Sequence, residues 1–233
     1  MKLNILLFVI ILSSVVYLQP KDPDVILDKV KKEFEKIEDY QVDVKIKVDV
    51  NFLKMPDREA TIYYKKPDKF HIDSENFTML PKSGLNFSPF GFLNYKYSSF
   101  YVKEDTINGI QTSVIKVIPL ELDVDVILST FWIDTNRNII LKVESSRKPQ
   151  GTYTIDLDYL KTEQEFWLPS SMVFSFTIES GQYPWKGKKD KQNNDSKNDS
   201  NDKETGKVYL TYTDYKINIG IPDSIFKDEE SKK

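Results

Sequence analysis

Residues Gln41 to Phe52 read QVDVKIKVDVNF. Val42, Val44, Ile46, Val48, Val50 and Phe52 alternate without exception with Gln41, Asp43, Lys45, Lys47, Asp49 and Asn51. A side-chain period of two, kept this long, is the signature of a β-strand with one face in water and the other in a core. At ~3.3 Å per residue the strand spans roughly 40 Å, long for a strand and suited to a strongly curved sheet or an open barrel.

The residues around it extend the pattern. On the N-terminal side, Asp22 and Pro23 are a helix cap and a first helical residue. Ile26, Leu27, Val30, Phe34 and Ile37 then fall within an arc of about 100°, the width of a core-facing helical stripe. On the C-terminal side, strands are expected at Ala60–Tyr64, Phe70–Asp73, Phe100–Lys103, Thr112–Ile118, Val124–Asp134, Ile139–Ser145, Thr152–Tyr159, Met172–Ile178 and Val208–Tyr215. Turn chemistry separates them, notably Lys66-Pro67-Asp68-Lys69, Asn108-Gly109 and Thr135-Asn136-Arg137-Asn138. Nine to eleven sequential strands joined by short turns form an antiparallel meander. The expected fold class is mainly β with one or more helices (α+β): a curved antiparallel sheet, or unclosed β barrel, covering the N-terminal helix.

Residues 1–18, MKLNILLFVIILSSVVYL, place one lysine before an uncharged, mostly apolar run. That is the layout of an export signal or an N-terminal anchor over residues 1–19. The remainder, 20–233, is expected outside the cytoplasm, in the periplasm or cell envelope, as a single domain. Two segments break the strand pattern. Between Glu75 and Asn94, Phe77, Met79, Leu85, Phe87, Phe90 and Phe92 sit among Pro81, Gly84, Pro89 and Gly91. Such a segment must lie on something apolar, either as a plug closing the barrel mouth or as a mobile lid over a ligand cavity. The stretch from Lys186 to Lys207 has no apolar side chain and is expected to be a disordered insertion.

Composition narrows the chemistry. The chain has 233 residues, 33 basic and 36 acidic, for a net charge of -3. It carries no basic excess to neutralise phosphates, which argues against a nucleic-acid partner. Aromatics make up 13% of residues, as suits strands. The absence of cysteine removes disulfides, zinc thiolates and thiol catalysis. His71 is the single histidine, and no serine stands in a G-x-S-x-G setting. Asp134-Thr-Asn-Arg-Asn138 opens like a calcium loop, but Ile139 stands where Gly is required and Ser145 where Glu is required, so a hairpin turn is expected instead. No metal, no cofactor and no catalytic residue is expected, and the chain does not read as an enzyme.

Tyr63-Tyr-Lys-Lys-Pro-Asp-Lys-Phe-His-Ile72 resembles the strand–Lys/Arg-Pro–Phe–strand signature of the outer-membrane lipoprotein carrier and sorting proteins, the LolA/LolB-like group. Phe131-Trp-Ile-Asp-Thr135 with Asn138–Val143 resembles that group's middle hairpin, and Tyr212 to Phe226 its closing strand and Pro-Asp-x-x-Phe segment. The resemblance implies an unclosed antiparallel β barrel over an apolar cavity for acyl chains. It implies a binding protein for lipoprotein acyl chains or other lipids that acts as a carrier. A second reading is an envelope sensor or interaction module on the same fold, with an envelope protein partner and peripheral membrane contact. An extracytoplasmic hydrolase fits worst. On the carrier reading the cavity is lined by Val44, Ile46, Val48, Phe52, Ile62, Tyr64, Phe70, Ile72, Trp132, Ile155, Leu157, Phe174 and Phe176, with the aromatic segment at 77–92 as its lid. The carriers' lid-controlling arginine has no secure counterpart in the sequence.

Overall fold

The computed structural model describes residues 21–50, 56–74, 96–121, 126–147, 151–179 and 203–227. Phe52, the 77–92 aromatics, residues 1–19 and most of the polar insertion lie outside these. The elements are α1 (Pro23–Glu35), β1 (Asp39–Val50), β2 (Arg58–Lys65), β3 (Lys69–Asp73), β4 (Tyr97–Ile107), β5 (Ile110–Pro119), β6 (Val126–Asp134), β7 (Ile139–Arg147), β8 (Gly151–Lys161), β9 (Trp167–Glu179) and β10 (Lys203–Ile217). A 3-10 turn over Asp223–Phe226 follows. The insertion expected to run to Lys207 gives way earlier, at Lys203, because Lys203–Lys207 pair with Glu179–Ser175 of β9.

All ten strands join one antiparallel sheet in the order β3-β2-β1-β10-β9-β8-β7-β6-β5-β4. The order is not a simple meander from the first strand. Two meanders, β1–β3 and β4–β10, are stitched together where β10 returns beside β1, with Val44 opposite Tyr212 and Ile46 opposite Leu210. The sheet does not close: β3 and β4, consecutive in the chain, are its two edges.

The long strand behaves as its alternation requires. Val42, Val44, Ile46 and Val50 are buried, while Asp43, Lys45, Lys47 and Asp49 are exposed. The core continues across the same face through Ile115, Phe131, Val143, Ile155, Met172 and Leu210.

Helix α1 lies on that dry face. Asp22 caps it by accepting from Asp24 N at 2.9 Å. Ile26, Leu27 and Val30 are buried in the sheet core. At its start, Ser99 on β4 hydrogen-bonds Asp24, and Lys21 Nζ pairs with Glu104 on β4 at 2.7 Å. At its end, Lys66, just after β2, donates to the Glu35 carbonyl and pairs with Glu38 at 2.8 Å. In a flat sheet β4 and β2 would stand eight spacings apart, roughly 38 Å at ~4.8 Å each, whereas a 13-residue helix is only about 20 Å long. One helix can tie both sides only because the sheet curls around it.

Candidate functional site: the inner face of the half-barrel

The antiparallel order gives the half-barrel two unlike ends. At one end lie the connections β2–β3, β4–β5, β6–β7 and β8–β9 and the chain after β10. These are tight and well bonded. Asn108, Asn138 and Glu165 take up left-handed φ of 49°, 54° and 70° in three of the turns. In the β6–β7 hairpin Asp134 accepts from Asn136 N at 2.9 Å and from the Arg137 guanidinium at 2.5 Å, so this segment is a turn, as its residue types require. Asp39, 4% exposed, accepts from the backbone N–H groups of Ile219, Gly220 and Ile221 at 2.8–3.3 Å. Ile37, Leu168 and Ile217 fill in beneath as a second apolar cluster. At the other end lie the connections β1–β2, β3–β4, β5–β6, β7–β8 and β9–β10, each of which includes residues outside those described.

Most of the expected lining residues share the inner face. Registers place Ile62 opposite Ile72, Tyr64 opposite Phe70, and Phe174 opposite Ile155. Their burial divides them into two classes. Val44, Ile46, Ile62, Ile155, Leu157, Phe174 and Phe176 are buried as packed core. Val48, Phe70 and Ile72 pack on that core yet keep part of their surface accessible, and so do Tyr97, Val208 and the inward tyrosines of β1, β8 and β10. Tyr64 is half-buried too.

Trp132 is placed elsewhere. Its neighbours Phe131 and Ile133 are fully buried on the inner face, so a strand's period of two turns Trp132 outward. Its indole donates to Asp105 at 3.1 Å, and the Lys142 ammonium sits 4.8 Å from its ring centroid. Hydrogen bonds from Lys103, from this indole and from Thr106 N–H hold the Asp105 carboxyl down at about 2. The expected role of Trp132 in the lining is therefore corrected: it braces the outer face. His71 also points outward, beside Tyr63 at 6.1 Å between rings.

A tyrosine cluster on the inner face was not expected. Tyr40 stacks on Tyr64 at 5.2 Å and meets Tyr215 edge-on at 5.9 Å, and Tyr215 lies 6.4 Å from Tyr212. Tyr215 donates to the Pro169 carbonyl at 2.8 Å, and Tyr159 to the Ile140 carbonyl at 2.9 Å. Burial pushes the phenols of Tyr40, Tyr159, Tyr212 and Tyr215 far above their ordinary value, and that of Tyr64 up to about 12. The sequence hides part of this cluster. Val208, Leu210 and Tyr212 alternate inward along β10, but Asp214 at φ 56° sits where the β1–β10 register shifts by one residue. That shift turns Tyr215 and Ile217 inward instead of Asp214 and Lys216.

Among the described residues, several polar groups on the inner face are paired with one another. Ser129 and Ser145, both buried, share a hydrogen bond of 2.6 Å. Burial works to raise the Glu104 carboxyl, but hydrogen bonds from Lys21, Tyr101 and Ser113 outweigh it and leave the group below its ordinary range. Arg58, opposite Ile46 in the β1–β2 register, puts a half-buried cation on the inner face toward the end with the longer connections. Among the described residues no group of three or more His, Cys, Asp or Glu is placed to hold a metal ion, and no helix is long and apolar enough to cross a membrane.

No family model matches the sequence, and no curated protein matches it. Solved structures do match it. An outer-membrane lipoprotein-sorting protein domain from Vibrio parahaemolyticus superposes with a TM-score of 0.56 at 13% identity, covering 89% of this chain and 98% of that one. A DUF1329 family protein from Desulfovibrio piger gives a TM-score of 0.57 at 11% identity, covering 88% and 98%. A LolA superfamily protein from Nitrosomonas europaea gives a TM-score of 0.54 at 12% identity, covering 89% and 98%. These superpositions show likeness of fold alone, and it extends over nearly the whole of each structure: the chain has the LolA/LolB-like fold.

Proposed function

We propose that this chain is an exported binding protein that carries lipid, or the acyl chains of a lipoprotein, against the inner face of its half-barrel. The observation that carries the reading is the unevenly covered interior. Val48, Val208, Phe70, Ile72, Tyr40, Tyr159, Tyr212 and Tyr215 face inward and pack on the core without being fully covered by it. Apolar side chains left accessible inside a curved sheet are what an acyl chain needs, since each buried methylene contributes ~0.8 kcal/mol and asks for no polar partner. Arg58, at one end of this face, supplies a charge for the carboxylate or phosphate at the head of such a ligand. The likeness to a lipoprotein-sorting domain supports the same reading.

The test is direct. Protein recovered from the producing cell is extracted with organic solvent and its lipids are identified by mass spectrometry. The stripped protein is then titrated with a fluorescent fatty-acid probe. Co-purifying lipid and saturable probe binding are expected at about one site. Protein that holds no lipid and leaves the probe unbound would sink the proposal.

A further inference from the structure

The tyrosines that meet on the inner face do not all use their hydroxyls. Tyr215 donates to the Pro169 carbonyl at 2.8 Å and Tyr159 to the Ile140 carbonyl at 2.9 Å. Tyr40 has no hydrogen-bond partner among the described residues. The Tyr212 hydroxyl has only the Met172 sulfur, at 4.0 Å, and a thioether is a weak acceptor. A buried phenol ordinarily finds a partner, because a donor left unpaired forfeits its hydration and gains nothing in return. Two unspent donors in one cluster call for an acceptor that the protein does not supply.

The Tyr40 hydroxyl is not sealed in. Among the described residues the one sealed side-chain nitrogen or oxygen without a partner is His71 Nδ1, so the Tyr40 hydroxyl opens on accessible space. That space is interior, since burial is what lifts the phenols of Tyr40 and Tyr212 while both residues keep part of their surface uncovered. The two phenols are close enough to act on each other electrostatically, so they border the same space. The surroundings limit the acceptor. The cluster contains no charged side chain, and Arg137, the cation that acts on Tyr159, is held by Asp134. A carboxylate or phosphate beside these phenols would be buried without a counter-ion, at high cost, whereas a neutral carbonyl needs only the donors already there. Hydrocarbon has its own stretch of the face. Val48 and Val208, both partly accessible, lie four residues along β1 and β10 from Val44 and Tyr212, ~13 Å away.

Resting on the reading of the interior as a lipid site, we infer that Tyr40 and Tyr212 form a hydrogen-bonding subsite for a neutral carbonyl of the bound lipid, that of an acyl ester. The aliphatic stretch meets the chain, and the two phenols read its linkage. They separate an ester from an ether or a bare hydrocarbon and leave chain length unread.

The test uses two ligands that differ by one carbonyl oxygen, methyl palmitate and methyl hexadecyl ether. Each displaces a fluorescent fatty-acid probe from the full chain and from a Tyr40→Phe/Tyr212→Phe variant, which loses both hydroxyls and keeps both rings. The parent is expected to prefer the ester by about tenfold in Kd, the worth of one or two neutral hydrogen bonds. The variant should lose that preference, bind the ether as the parent does, and melt within a few degrees of the parent, since no strong hydrogen bond of the protein is removed. A parent that takes ester and ether alike, or a variant that still prefers the ester, would overturn the inference while leaving a lipid-binding interior in place. A large drop in the variant's melting temperature would overturn it too, by showing that the hydroxyls serve the fold. A parent that binds neither the probe nor either ligand would bring down the lipid reading itself, and this subsite with it.

Discussion

Val208 and Leu210 are two residues apart on β10 and point to the same inner face, yet they should answer oppositely to enlargement. Val208 stands between Val48 and Phe174, packed on the core but partly accessible. Leu210 stands between Ile46 and Met172 and is 3% exposed. A tryptophan at 210 has nowhere to go. Overpacking a filled core costs about 1–3 kcal/mol, which in a chain of this size lowers Tm by a few degrees to about ten. A tryptophan at 208 enters the space assigned to ligand. An indole in place of an isopropyl group takes the room of about three methylenes, and at ~0.8 kcal/mol each the ligand loses about 2.5 kcal/mol, or roughly 60-fold in Kd. Val208→Trp should therefore melt within a few degrees of the parent and bind the fatty-acid probe far more weakly. Leu210→Trp should melt early. Circular dichroism melts and probe titrations of the two variants decide the matter. If Val208→Trp is as unstable as Leu210→Trp, the inner face has no spare room beside Val208. If it is stable and binds normally, the ligand lies elsewhere.

Two more perturbations test the packing of this face. A Cβ at Gly206 would run into the side chains of Val50 and Phe176, so Gly206→Ala should destabilise by about 1–3 kcal/mol in a urea melt, while Thr205→Ala, exposed next door, should stay within about 0.5 kcal/mol; equal midpoints for the two variants would refute the close approach. The tyrosine cluster predicts a cooperative alkaline transition. Burial raises the folded-state pKa of Tyr40, Tyr159, Tyr212 and Tyr215 above the unfolded value of 10.0, so their contribution to stability is complete below pH 10.0 and is lost as pH climbs above it. Their tyrosinate absorbance should appear together with the loss of circular dichroism, and smooth ionisation of all 13 tyrosines in a still-folded chain would contradict that.

What the sequence made legible follows from which signals are local. The period of two that opens at Gln41, the capped stripe from Asp22 to Val30 and the hairpin at Asp134–Asn138 depend on neighbours in the chain, and the structure keeps all three, the first as far as Val50, its last described residue. The pairing of β1 with β10 does not: it joins residues some 170 apart, and nothing in either strand announces the other. The lining suffered from the same limit. The carrier reading puts Trp132 in the lining, although its alternation with Phe131 and Ile133 places it outward. Tyr215 escaped because a single register shift near Asp214 reverses the parity of the strand. The division of the inner face into packed and accessible residues has no sequence signal at all, since Ile46 and Val48 are chemically alike and differ only in what covers them.

The two ends of the half-barrel suggest how a carrier on this plan gains selectivity. An interior that binds through apolar area discriminates weakly, because methylenes contribute alike wherever they lie. Discrimination among acyl chains must then arise at the entrance. The tight end offers none: Asp39 there holds three successive backbone N–H groups of the closing segment, and Ile37, Leu168 and Ile217 are packed beneath it. Opening it would strip a buried carboxylate of its donors, at a cost of several kcal/mol. On the carrier reading, entry is directed to the opposite end, where β1 leaves with Val50, β3 ends and β4 begins, and where Arg58 faces inward beside Ile46. β3 ends at Asp73 and β4 begins at Tyr97 at that same end. On that reading the choice of acyl chain belongs to a few residues at one rim, and the rest of the sheet supplies affinity.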